Sequence, residues 1–150
     1  MFTQSDMRNF LLILFSNLFL GIVFSQQHAT WSIQYNKADS AITIDVQIAR
    51  GWHIYSQHID PMAGPIPTSF LFMLVGDVEL NGDVIEPQPI VHFDEAFGSE
   101  LMYFENEVEF KQKIILTSQA NLSVDVNYMM CNDTMCLPPT NEKLTIALEP

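Results

Sequence analysis

The sequence predicts an all-β fold, and three observations carry that prediction. Segments of strict two-residue alternation recur through the chain, turn-forming residues stand between them, and no stretch after residue 25 has a 3.6-residue apolar period. A period of two marks a strand with one buried face, whereas a 3.6-residue period marks an amphipathic helix. Seven or eight short segments of this kind fall within residues 26–150. The pattern indicates an antiparallel sandwich or barrel, and an immunoglobulin-like antiparallel β-sandwich is the expected form.

The strands are expected in the following order. Thr30–Tyr35 is a weak candidate. Ala41–Ala49 is a strong one, with Ile42, Ile44, Val46 and Ile48 on one face and Thr43, Asp45 and Gln47 on the other. Trp52–Tyr55, Ser69–Val75 and Ile90–Phe93 are further weak candidates. In Glu107–Leu116 the inward set is Val108, Phe110, Ile114 and Leu116, with Gln112 as an imperfection. Leu122–Tyr128 alternates cleanly, and Cys131 is expected to extend it. Leu144, Ile146 and Leu148 mark the last strand. Turns are expected at Asn36–Ser40, Arg50-Gly51, Pro61–Pro67, Asn81–Asp83, Pro87–Pro89, Gly98-Ser99 and Asn132-Asp133. With no internal repeat, linker or low-complexity segment, residues 26–150 are expected to form one domain.

Residues 1–25 have the form of a secretory signal peptide. Arg8 and the amino terminus make a weakly basic start, Phe10–Phe24 is apolar, and Val23-Phe24-Ser25 suits cleavage before Gln26. That run of 15 residues, interrupted by Ser16 and Asn17, is short of the roughly 20 needed to span a bilayer. The domain is therefore expected in an exported compartment, with no membrane insertion once the signal is removed. Net charge is −12, from 18 acids and 6 bases. Such a chain is not built for nucleic acid or an anionic membrane surface, since both select clustered Lys and Arg.

The two cysteines, Cys131 and Cys136, stand four residues apart in Y-M-M-C-N-D-T-M-C-L-P-P-T. Asn132 and Asp133 favour a tight turn that would bring them together, and Pro138-Pro139 interrupts strand pairing just afterwards. Three chemistries fit. An exported pair forms a structural disulfide readily. Met129, Met130 and Met135 beside two thiols could instead make a soft Cu(I) site. The third is redox exchange, in which a thiolate attacks a disulfide sulfur. Asp133 lies between the cysteines and no Lys or Arg lies between residues 114 and 142, so nothing in the sequence lowers a thiol pKa here. That suits a relay that reacts when a partner supplies the base or desolvates the pair.

Three motifs resemble the N-terminal periplasmic domain of thiol:disulfide interchange protein DsbD, the disulfide bond corrector family. They are G-W-H-I-Y at Gly51–Tyr55, H-F-D-E-A-F-G at His92–Gly98, and the cysteine segment Asn127–Thr140. The resemblance implies an immunoglobulin-like sandwich that passes reducing equivalents, with no cofactor and no metal. The donors would be a DsbD-type membrane reductase and a thioredoxin-like domain, and the recipients oxidised thioredoxin-like proteins of the periplasm. By position, Cys136 would form mixed disulfides with partners and Cys131 would resolve them. Asp94, Glu95, Ala96, Phe97 and Gly98 would form the cap loop over the sulfurs, and Tyr55 would be an aromatic beside the pair. The family's cap usually carries two aromatics before its glycine. Here Ala96-Phe97 leaves Phe97 alone to shield the sulfurs. The alternatives are a binding sandwich with a purely structural disulfide, or a copper carrier. No catalytic role is expected of His53, His58 or His92, and Trp31 and Trp52 are expected in the core.

Overall fold

Strand β7, Glu107–Tyr128, runs 22 residues and is the spine of the molecule. The computed structural model describes residues 28–95 and 97–150, so the expected signal segment and Ala96 lie outside the described residues. The remaining strands are β1 (Ala29–Asn36), β2 (Ala41–Ile48), β3 (His53–Tyr55), β4 (Ser69–Leu80), β5 (Ile90–Asp94), β6 (Ser99–Glu105), β8 (Met130–Cys131) and β9 (Thr140–Leu148). All their pairings are antiparallel.

Two segments expected as separate strands are one strand because their alternation never changes phase. Val108, Phe110, Gln112 and Ile114 are buried, and Ala120, Leu122, Val124, Val126 and Tyr128 continue on the same face. Gln112 belongs to this inward set. Its amide donates to the carbonyl oxygens of Gly82 (3.0 Å) and Lys113 (2.8 Å), which offsets the penalty of burying it. The first half of β7 pairs with β2, the second half with β9, and β4 runs along the other edge. The register of β4 against β7 shifts between Gly76 and Val78, where residues 117–119 of β7 stand opposite Asp77, and Gly76 (φ 104°) lies so close to β7 that a Cβ would sit 3.1 Å from Ala120 Cα.

The larger sheet has the order β1-β2-β7-β4, with β9 beside β7; the smaller has the order β5-β6-β3-β8. This two-sheet, all-antiparallel arrangement is the immunoglobulin-like sandwich. The main core forms between the sheets. Phe110, fully buried, packs against Trp31 (ring centroids 6.2 Å), Phe70 (4.9 Å) and Phe104 (5.8 Å), the last reaching across from the smaller sheet. Ile54 and Met130 join it from the same side as Phe104. Burying one such aromatic contributes roughly 1.5–3 kcal/mol.

Strand β6 was not expected from the sequence. Its apolar run Leu101-Met102-Tyr103-Phe104 does not alternate because both faces of the strand are covered: Phe104 enters the main core and Leu101 a second cluster. Gly51, with φ 80°, makes the turn that carries the chain from β2 in the larger sheet to β3 in the smaller one.

Candidate functional site

The second cluster lies on the opposite face of the smaller sheet from the main core. It comprises buried Tyr55, Ile59, Leu101 and Cys131, with Phe97, Ala63, Tyr103 and Cys136 partly buried around them. Alternation produces it: in β3, Ile54 points to the main core while His53 and Tyr55 point away, and in β8 Met130 and Cys131 divide the same way.

Cys131 therefore does not extend the preceding strand, as the sequence suggested. The ladder of β7 ends at Tyr128, and Cys131 pairs with His53 of β3 in the other sheet. The change of sheet within three residues has no signature in the apolar pattern. Cys131 and Cys136 form a disulfide, with Cα atoms 4.0 Å apart. They are directly opposed in a tight hairpin. Asn132 N–H donates to Met135 O (2.9 Å) and Leu137 N–H donates to Met130 O (2.8 Å), which leaves the cysteines as the non-hydrogen-bonded pair between them. In such a pair the side chains approach most closely. The Asn132 side chain holds the turn, its Oδ1 accepting from the N–H groups of Thr134 and Met135, each at 2.9 Å.

The two sulfurs are not equivalent. Cys131 is 2% exposed, whereas Cys136 is only partly buried. Both line a cleft of about 880 Å³ together with His53, Tyr55, Asp94, Glu95, Phe97, Tyr103 and Asp133. Phe97 sits in the hairpin between β5 and β6 and packs on the cysteine cluster. That hairpin is tied by Asp94, whose backbone oxygen accepts from Gly98 N–H (2.7 Å) and whose Oδ1 accepts from Phe97 N–H (3.2 Å). Gly98 takes φ 65°, as the turn requires. A second loop, absent from the sequence reading of the site, seats the ring: a Cβ on Gly64 would lie 2.2 Å from Phe97 Cδ1.

Tyr55 is fully buried, and burial together with the Asp94 carboxylate pushes its pKa up to about 12. Its hydroxyl lies 3.2 Å from His53 Nε2. Burial holds the His53 pKa below its ordinary value, with Glu105, Asp94 and Asp133 opposing that shift. Burial raises the Tyr103 pKa, and Glu105, Asp133 and Asp94 add to the effect. Among the described residues lining the cleft there is no Lys or Arg. A thiolate here meets carboxylates on several sides, so neither thiol is activated by a neighbouring cation.

The sequence-predicted site residues Cys131, Cys136, Tyr55, Asp94, Glu95 and Phe97 line this one cleft, with Gly98 in the turn beside Phe97. His53, for which the sequence suggested no role, lines it too; its membership follows from the pairing of β3 with β8. The three methionines do not gather around the sulfurs. Met130 is in the main core, Met129 packs in the second cluster and Met135 is 53% exposed. Trp31 is in the core as expected, while Trp52 is partly buried and stacks on His28 (4.3 Å).

A β-sandwich carrying a close cysteine pair under an aromatic-bearing loop is the architecture of a thiol–disulfide exchange domain. The chain belongs to the family "Thiol:disulfide interchange protein DsbD, N-terminal", which matches residues 23–148. No curated protein sequence matches it. Among solved structures, it is similar to the reduced DsbD N-terminal domain of Neisseria meningitidis at 14% identity and TM-score 0.57, covering 82% of this chain and 87% of that one. It is also similar to a chain in the complex of the DsbD and PilB N-terminal domains of Neisseria meningitidis, at 13% identity and TM-score 0.59, covering 87% and 94%. The N-terminal periplasmic domain of ScsB from Proteus mirabilis aligns at 19% identity and TM-score 0.56, over 80% of this chain and 46% of that one. Among the described residues, no helix is long and apolar enough to cross a membrane.

Proposed function

We propose that residues 26–150, freed of a signal peptide at residues 1–25, act in the periplasm as a protein-disulfide reductase. In this relay, reducing equivalents arrive from a DsbD-type membrane reductase through a thioredoxin-like domain and leave to oxidised thioredoxin-like proteins. In the reduced domain the Cys136 thiolate attacks one sulfur of the recipient's disulfide, forming a mixed disulfide and expelling the recipient's first thiolate. Cys131 then loses its proton and attacks Cys136 Sγ. The Cys131–Cys136 disulfide forms, the second recipient thiolate leaves, and two electrons have passed to the recipient. Re-reduction runs the same steps backwards with the donor's dithiol.

The observation that carries this reading is the unequal exposure of two cysteines in one ring, with Cys131 2% exposed and Cys136 only partly buried. A docking protein can reach one and not the other. Phe97 and its loop shield the pair from small thiols, and a partner that displaces the loop gains access. The test is transfer from the reduced domain to an oxidised thioredoxin-like protein. Cys136→Ser should abolish transfer, and Cys131→Ser should leave a stable mixed disulfide through Cys136. Undiminished transfer by the Cys136→Ser domain would refute the assignment.

A further inference from the structure

The register of the smaller sheet sets four residues in one row across adjacent strands. Glu105 of β6 pairs with His53 of β3, His53 pairs with Cys131 of β8, and Cys131 pairs with Cys136 across the hairpin. Directly paired residues of antiparallel strands project on the same face, with Cβ atoms about 4.5–5.5 Å apart. The order across the sheet is thus carboxylate, imidazole, buried sulfur, accessible sulfur. A nucleophile beside a base, with a third group behind that base, is the arrangement that activates a weak nucleophile.

We propose that His53 is the acid–base residue of the exchange, taking the proton from the Cys131 thiol in the forward direction and returning it in reverse. His53 has this role only if the pair exchanges with partners as proposed above. In the resolution step the Cys131 S–H bond breaks and its proton passes to the imidazole. The Cys131 electron pair forms the bond to Cys136 Sγ, and the bond from Cys136 to the partner sulfur breaks with the partner thiolate leaving. When a donor thiolate instead attacks Cys136, Cys131 leaves as a thiolate and takes the proton back from the imidazolium.

The surroundings suit the role. The proton must go to a side chain because Cys131 is nearly sealed from water and no cation lines the cleft to stabilise a bare thiolate. Nε2 lies 3.2 Å from the Tyr55 hydroxyl, with the ring edge-on to Tyr55 (88°); in the tautomer whose Nε2–H donates to the Tyr55 oxygen, Nδ1 is the unprotonated nitrogen that takes the proton. Tyr103 packs on the imidazole with centroids 4.7 Å apart. The charged and titratable groups facing this space come from every neighbouring element: Tyr55 on β3, Tyr103 and Glu105 on β6, His92 and Asp94 on β5, Glu95 in the cap hairpin, and Asp133 in the cysteine hairpin. Burial keeps the imidazole neutral and ready to accept, while the carboxylates of Glu105, Asp94 and Asp133 stabilise the cation once it forms.

The test uses the reduced domain and the aromatic disulfide dithiobis(nitrobenzoate), which releases a coloured thiolate at each bond broken. The first release reports attack by Cys136. The second, when independent of reagent concentration, reports resolution by Cys131. The reagent is raised until the first release no longer limits the second. In His53→Gln and His53→Asn domains, whose folding is checked by a cooperative unfolding transition at the native midpoint, the first release persists. The second should slow on the order of 100-fold near neutral pH. Its pH profile should also change: a plateau above the imidazole's titration in the native domain becomes a steady rise toward the thiol range in the variants. An unchanged second release would overturn the role of His53, as would a uniform slowing that keeps the plateau. Failure of the native reduced domain to reduce an oxidised thioredoxin-like protein would instead sink the relay reading itself.

Discussion

The two apolar clusters of this sandwich differ in what covers them. The main core has nineteen buried residues held between two sheets, among the described residues. The cluster around the sulfurs has four, and its roof is made of the hairpin bearing Phe97 and the loop bearing Gly64 rather than of strands. Regions with few buried contacts open at lower free energy than the global fold. The contrast teaches that stability and access are assigned to opposite faces of one small sheet: Ile54 and Met130 join the main core, while His53 and Cys131, their neighbours in each strand, line the cleft.

This division can be broken from either side. The largest effect should come from the sealed side. Phe110→Ala should cost about 3–5 kcal/mol of stability in a denaturant titration, with the thiol chemistry of the molecules that remain folded unchanged. A loss of reactivity beyond the loss of folded protein would show that the faces are not independent.

On the open side, Phe97→Ala should do the reverse. Removing a half-buried ring weakens the cover by about 1.5 kcal/mol, so dithiothreitol should reduce the disulfide roughly tenfold faster. The midpoint of unfolding should move little. A smaller change in the same direction is expected for Gly64→Ala, since its Cβ would meet Phe97 Cδ1 at 2.2 Å and the ring is freer to move than the backbone. The φ of 117° at Gly64 adds local strain. In a Phe97→Ala background the Gly64→Ala change should add nothing to the reduction rate. Additive effects would mean that Gly64 does not act through Phe97.

The smallest effect concerns acid. The folded His53 pKa lies below its unfolded value, so the unfolded chain binds the proton more tightly. Stability is therefore undiminished above the unfolded pKa and falls as pH drops below it. The melting temperature should decline between roughly pH 7 and pH 5, and less so in His53→Gln. An identical decline in the two proteins would assign the acid sensitivity to other groups.

Much of this was legible in the residue order, and what was not has physical causes. Strand β2 announced itself because one of its faces is buried and the other wet. The unity of β7 was also readable, since Val108 through Leu116 and Leu122 through Tyr128 all fall on even positions; the polar Thr117-Ser118-Gln119 hid it. Strand β6 was illegible because its two faces serve different clusters, which erases alternation. The cysteines and Phe97 could be singled out by type and spacing. His53 could not, because its place beside Cys131 depends on a strand pairing 78 positions apart in the chain.

The cysteine hairpin carries a last consequence. It is knit by main-chain bonds on both sides of the sulfurs and by the Asn132 amide within its turn. Cutting the sulfur bridge removes none of these ties. The oxidised and reduced domains should therefore share one conformation, and amide spectra of the two should differ only around residues 130–137. On the proposed reading, such a hairpin would act as a rechargeable contact, its terminals left in place for the next cycle without refolding.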